Sequence, residues 1–207
     1  MCCRLSVENK EDRKMTKKEL VRNFKLFRQH CINLRIHFNT FSVLYSCENF
    51  ELLNKVAPVF FKDLNEMMTI EWYRQCNALL DPSISRVGKD VVRNLSVEQI
   101  DEELKELELF DAKLKIASKT LLKYKKCVKL PRNKLVGHFD LECTRRGRAL
   151  GKHKEELMHE FLENMQRYCD MVGEKIGLGP LDFSCSSCKG DVFDFLSALR
   201  KSSSKCG

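Results

Sequence analysis

The segment Pro131–Asp140 (PRNKLVGHFD) holds the side-chain types that cleave a phosphodiester. An arginine grips a phosphate through a rigid two-pronged set of donors and stays charged at neutral pH. A histidine titrates near neutrality, so it can take or give a proton. Arg132 and His138 form this pair, and the amide of Asn133 can orient either group. On RNA such a pair needs no metal. A base removes the proton of a ribose 2′-hydroxyl, the oxygen attacks its own phosphate, and the arginine stabilises the charge that develops. Geometry complicates the picture. Six positions on an unbroken helix turn through about 600°, which leaves the two side chains about 120° apart. One regular helix face therefore does not hold both. Either the helix is distorted, for which Gly137 is the natural place, or other elements complete the site. A second copy of the chain would provide such elements. The plainer alternative is an arginine and a histidine that only stabilise a helix junction, since spacings this short recur by accident.

Four long amphipathic helices would have to position the segment. The first opens with a capping box, Thr16 and Glu19, and with Met15 and Leu20 placed as a hydrophobic staple. Its apolar stripe then steps in fours and threes from Leu20 through Phe24, Phe27, Cys31, Leu34 and Phe38 to Tyr45. The second is expected from about Asn49 to Leu80, stopped by Asp81-Pro82-Ser83. Residues 81–95 read as a connecting loop. The third starts at the box Ser96/Gln99 and runs through Leu107, Phe110, Leu114, Leu121 and Val128 to Leu130-Pro131. Its acidic start and basic end suit the helix dipole. The fourth is expected from about Arg148 to Lys175, stopped by Gly177-Leu178-Gly179-Pro180. The architecture expected is all-α: a four-long-helix up-and-down bundle over residues 16–177, after a loose segment 1–15. Residues 178–207 form a short C-terminal extension with Cys185, Cys188 and a last amphipathic piece around Val192–Leu199.

Composition narrows the class. The 207 residues carry a net charge of +8. That balance admits an anionic partner such as RNA, or simply solvated helix faces. Lys126, Lys129 and Lys134 belong to a basic run beside Arg132, and they are the candidate contacts to a nucleic-acid backbone. The same lysines would also complement the dipole at the end of helix three. Eleven cysteines, an odd number, fall mostly on apolar helix faces, as do Cys31, Cys76 and Cys169. No stretch has the shape of a signal peptide or approaches the roughly 20 apolar residues that span a bilayer. The expectation is a cytoplasmic, reducing compartment, no membrane, and cysteines that act as small hydrophobes. Cys185 and Cys188 have zinc-knuckle spacing, but no second pair accompanies them, so free thiols are expected and no metal or other cofactor. His30, His37, His153 and His159 make no i, i+4 ligand pair.

The string RNKLVGH fits the Arg-x(4–6)-His signature of HEPN domains, with a polar residue straight after the arginine. The longer PRNKLVGHFD resembles the HEPN-like family of abortive-infection proteins of the AbiU type. Two upstream stretches, NALLDPS (77–83) and NLSVEQI (94–100), are similar to that family as well. The resemblance spans roughly residues 16–175. It implies a helical bundle that often dimerises, with the motifs of two chains facing one cleft. It also implies a metal-independent endoribonuclease acting as a toxin or phage-defence effector, or a catalytically inactive relative that serves as a binding module. The implied roles are His138 as acid and base, Arg132 as phosphate holder and Asn133 as support. A polar residue of helix two often assists, and here Glu71, Arg74 and Asn77 are the candidates. RNA, a second copy and a cognate antitoxin or regulator are the implied partners. HEPN toxins silenced by nucleotide transfer carry a tyrosine two residues after the histidine. This chain has Phe139-Asp140, which argues against that mode of silencing.

Overall fold

In a computed structural model of the chain, residues 15–131, 155–185 and 188–204 are described. Helix α1, Lys17–Leu44, begins at the expected capping box. The Thr16 hydroxyl accepts the Glu19 N–H, and the Glu19 carboxylate accepts the Thr16 N–H at 3.1 Å. The stripe Leu20, Phe24, Phe27, Cys31, Leu34 and Phe38 is buried along the whole helix, and removal of each such side chain from water stabilises by about 1.5–3 kcal/mol.

The expected helix two is two helices, α2 (Cys47–Val56) and α3 (Pro58–Leu80). The break is at Pro58, which has no N–H to give and pushes the residue before it out of the helical region. Ala57 sits at φ −157°, ψ 74°, and Pro58 then serves as the first residue of α3. The loop expected at 81–95 contains a β-hairpin, β1 (Ile84–Val87) paired antiparallel with β2 (Asp90–Arg93). Val87 lies opposite Asp90, so Gly88-Lys89 is a two-residue turn. Gly88 takes the φ of +62° that such a turn requires. β-branched residues on both sides supply the strand propensity that the polar punctuation obscured.

The expected helix three is also divided, into α4 (Val97–Glu106), α5 (Ala112–Leu122) and α6 (Lys125–Pro131). After α4 the chain turns through Glu108 at φ 59°, and Leu109 N–H bonds back to the Leu104 carbonyl at 2.8 Å. Asp111 then caps α5 by accepting the Leu114 N–H at 2.9 Å. The apolar period ran on across this corner because Leu114 and Leu121 are buried on both sides of the same core as Leu104. Helix α7, Glu155–Ile176, ends where expected, with Gly177 left-handed at φ +83°. Helix α8, Val192–Ser203, is capped by Asp191.

Helix α1 lies at the centre and packs on α3, α4, α7 and α8. Helix α5 lies along α7, and α6 along α3. One core runs through α1, α3–α7 and the turn after them. A smaller one joins Leu44, Leu53 and Phe61 to Leu196 of α8. Arg200 of α8 also donates to the Asn49 side chain of α2. Cys31, Cys76 and Cys169 are fully buried, as expected, and burial pushes the Cys31 and Cys76 thiols well up. Cys31 and Cys76 are protonated, and all three fill space in the core.

Buried and half-buried polar contacts specify how the helices register. His30 and His37, one heptad apart on α1, bond through Nε2 to the carbonyls of Gln75 (3.2 Å) and Met68 (2.8 Å) on antiparallel α3. A carbonyl only accepts, so each Nε2 carries the hydrogen. Asp101 of α4 accepts from Ser118 of α5 and from the Tyr168 hydroxyl of α7 at 2.7 Å. Glu103 of α4 accepts on one oxygen from Asn23 of α1 (2.8 Å) and Gln99 (2.9 Å). Its Oε2 is buried without a hydrogen-bond partner.

Burial raises the Glu103 carboxyl above its ordinary value of 4.5, outweighing the hydrogen bonds from Gln99 and Asn23. The folded chain then binds this proton more tightly than the unfolded one. Its contribution to stability is greatest at low pH and declines as pH rises through the interval above 4.5. Glu103→Gln keeps an acceptor for Asn23 and Gln99 and removes the buried charge. It is expected to raise neutral-pH stability by about 1 kcal/mol and to flatten the pH dependence. Urea unfolding at pH 5 and pH 7.5 checks this, and equal destabilisation at both would contradict it.

Candidate functional site

Helix α6 delivers the chain to Arg132. It is held against α3 by Asn77, whose amide donates to the Tyr73 carbonyl at 2.7 Å and across to the Val128 carbonyl at 3.4 Å. Asn77 is buried, so its amide is cut off from water and these two carbonyls satisfy it. Beside it lies an aromatic stack. Tyr124 and Phe161 overlap face to face with centroids 4.2 Å apart, and Trp72 meets Phe161 edge-on at 6.2 Å. Phe38 joins the cluster through Trp72 and through the ring of His159. This stack ties the approach to α6 to the start of α7. Tyr124, just before α6, and Phe161 and His159 of α7 therefore share one aromatic cluster with α1 and α3.

The expected site residues divide as follows. Arg132, Asn133, Lys134 and His138 lie outside the described residues. Lys126 and Lys129 are exposed on α6, spaced to share the side of the helix that faces away from Val128. Of the three polar candidates on α3, Asn77 is the one that reaches α6. Glu71 and Arg74 engage each other, with two contacts of 2.6 Å. The hydrogen bonds from Arg74 take the Glu71 carboxyl down to about 2, and Gln75 adds a third donor at 2.8 Å. Glu71 is thus a fixed anion at neutral pH, unsuited to taking up a proton, and Arg74 has its charge answered.

Cys185 and Cys188 are both exposed, and among the described residues no cluster of three or more metal-ligating side chains occurs. No helix among the described residues is long and apolar enough to cross a membrane. Sequence reasoning took the basic run to begin at Lys123 and missed Lys115 and Lys119 of α5 before it. Lys115, Lys119 and Lys123 line one groove with Lys105 of α4. Their i, i+4 spacing was the available signal, hidden inside what read as a single helix with a basic end.

Comparison with known proteins gives one result. No curated protein and no solved structure matches the chain. A family model does, described as AbiU2 of the HEPN class, over residues 17–186. The match takes in all of α1 to α7, the approach held by Asn77 and the Arg132–His138 string. On that extent of the sequence, the chain belongs to the AbiU2 family of HEPN domains.

Proposed function

We propose that the protein is a metal-independent endoribonuclease of the abortive-infection type, with His138, Arg132 and Asn133 as its catalytic group. The observation that carries the reading is the family match across residues 17–186, which encloses an Arg-x5-His string of the chemistry described above. His138 takes the proton from a ribose 2′-hydroxyl. The 2′-oxygen bonds to the adjacent phosphorus as the bond from phosphorus to the 5′-oxygen breaks, and a proton passes to that leaving oxygen. Arg132 holds the non-bridging oxygens as their charge grows, and Asn133 orients the pair. Lys126, Lys129 and Lys134 bind flanking phosphates. The products are a 2′,3′-cyclic phosphate and a 5′-hydroxyl. The test is cleavage of a labelled RNA in the presence of a chelator, with the ends identified by mass. Products ending in 5′-phosphate would defeat the mechanism.

The working form is a homodimer. The outer face of α3 supports this, since Val59, Phe60, Met67 and Ile70 are all exposed there, with Val59 at 72% and Met67 at 65%. Four exposed apolar side chains on one side of a helix, interrupted only by Asp63, suit a contact surface. A second copy, which presents the same apolar side chains, fits it by two-fold symmetry. The double substitution Phe60→Glu/Met67→Glu is expected to convert a dimer to a monomer in analytical ultracentrifugation. A wild-type chain that sediments as a monomer at tens of micromolar would refute the assignment.

A second reading, a catalytically inactive bundle that regulates a partner, draws on the same apolar strip. It predicts RNA binding or partner binding without cleavage.

A further inference from the structure

We infer that α5 and α6 carry a lysine track that grips several successive phosphates of a single RNA strand and feeds it toward Arg132. This rests on the RNA reading above and extends it to a binding surface outside the motif. The stretch Ala112–Pro131 holds seven lysines and no aspartate or glutamate. Lys115, Lys119 and Lys123 are exposed and follow one another at steps of four. Each step advances about 6 Å along a helix, comparable to the separation of neighbouring phosphates on one strand. Lys126 and Lys129 carry the exposed charge on along α6 to the residues just before Arg132.

The track borders a groove of about 740 Å³, whose opposite wall includes Lys105 of α4. Lys105 is placed over the Phe110 ring, 4.9 Å from its centre. The carboxylates in the groove are already engaged. Asp101 accepts from Ser118 and Tyr168. Asp111 accepts the Leu114 N–H and pairs with Lys175 at 2.7 Å. The four lysines that line the groove outnumber its two carboxylates, Asp101 and Asp111.

Dipole complementation accounts for Lys119 and Lys123, at the end of α5, but not for Lys115 near its start. It favours cations in the last turn of a helix and disfavours them in the first. Lys113 and Lys115 stand at the start of α5, whose first turn holds no acidic residue beyond the cap Asp111, itself paired with Lys175. Ion pairing within the fold does not account for the row, since the described salt bridges leave Lys115, Lys119 and Lys123 unmatched. Exposed cations in one row without partners in the fold are suited to an external polyanion.

The experiment uses the full chain and a 20-nucleotide 2′-O-methyl RNA, which lacks the attacking hydroxyl and so is bound without being cut. Fluorescence anisotropy is measured from 50 to 200 mM KCl for the wild type and for Lys115→Ala/Lys119→Ala/Lys123→Ala. The triple variant is expected to bind at least tenfold more weakly at 50 mM. Its slope of log K against log salt should be shallower by about 2, from roughly 0.7 per lost single-strand phosphate contact. A control removes three exposed lysines elsewhere, Lys18→Ala/Lys25→Ala/Lys62→Ala. An unchanged affinity and slope in the track variant overturns the inference. So does an equal loss in the control, or wild-type binding to poly-glutamate as tight as to RNA. Circular dichroism melts establish that both triples are folded. Binding that depends on the track, without any cleavage of natural RNA, would sink the catalytic reading and leave this one standing.

Discussion

His138→Ala is expected to slow RNA cleavage by about 10²–10⁴-fold while leaving the affinity for uncleavable RNA within a few-fold of wild type. The asymmetry follows from the role assigned. A general base acts on the transition state and adds little to ground-state binding. Arg132→Ala is expected to lose about 10²–10³ in rate, the scale of removing one preorganised donor from a developing anion. Arg132→Lys keeps the charge and loses the fork, and it should recover only part of that. The pH profile separates the two residues. If His138 is the base, kcat/KM falls on the acid side of an ionisation near neutrality, and that limb disappears in His138→Ala. Cleavage by His138→Ala at the wild-type rate and with the wild-type pH profile would remove the proposed mechanism altogether.

Gly173→Val is expected to cost about 3 kcal/mol or more, lowering the thermal midpoint by several degrees. Gly173 lies inside α7, where a glycine is ordinarily a weakness. Here the chain folds back over it. The Leu178 and Gly179 N–H groups both bond to the Gly173 carbonyl, at 2.8 and 3.1 Å. A β-carbon on residue 173 would fall 2.3 Å from the Gly179 carbonyl oxygen, a backbone atom that cannot swing away. That oxygen also accepts from Arg28 of α1 at 3.3 Å, so a shift there disturbs the contact between α7 and α1. Gly173→Ala should show the same effect in smaller measure. Differential scanning calorimetry decides the matter, and a melting temperature within a degree of wild type for both variants would count against this packing.

The helical class, the caps of α1 and α4, the buried stripe of α1 and the end of α7 were legible because each rests on local chemistry. Thr16 and Glu19 are three residues apart whatever the rest of the chain does. Two readings failed for one shared reason. Apolar periodicity registers which residues face the core, and Leu104, Leu114 and Leu121 face it from α4 and α5 on either side of a corner. The corner is announced only by Asp111, an N-cap inside an apparently continuous stripe. Pro58 was a plain signal, overridden by the same periodicity. The hairpin was missed because its strands are four residues long and mostly exposed, so no alternation of buried and open positions marks them. At the candidate site, Arg132 and His138 could be proposed from spacing and side-chain chemistry. The role of Asn77 could not be ranked above those of Glu71 and Arg74, because it depends on α6 crossing α3 some fifty residues later in the chain.

The hairpin offers a practical handle. Its tip, Gly88-Lys89, stands clear of both cores, and a β-carbon on Gly88 would touch nothing within 4 Å. Its base is secured separately, by Asn94 bonding to the carbonyls of Pro82 and Ser83. A short epitope or a fluorophore carried at the tip would therefore leave the bundle's packing undisturbed. The molecule provides its own attachment point for following assembly or RNA capture in living cells.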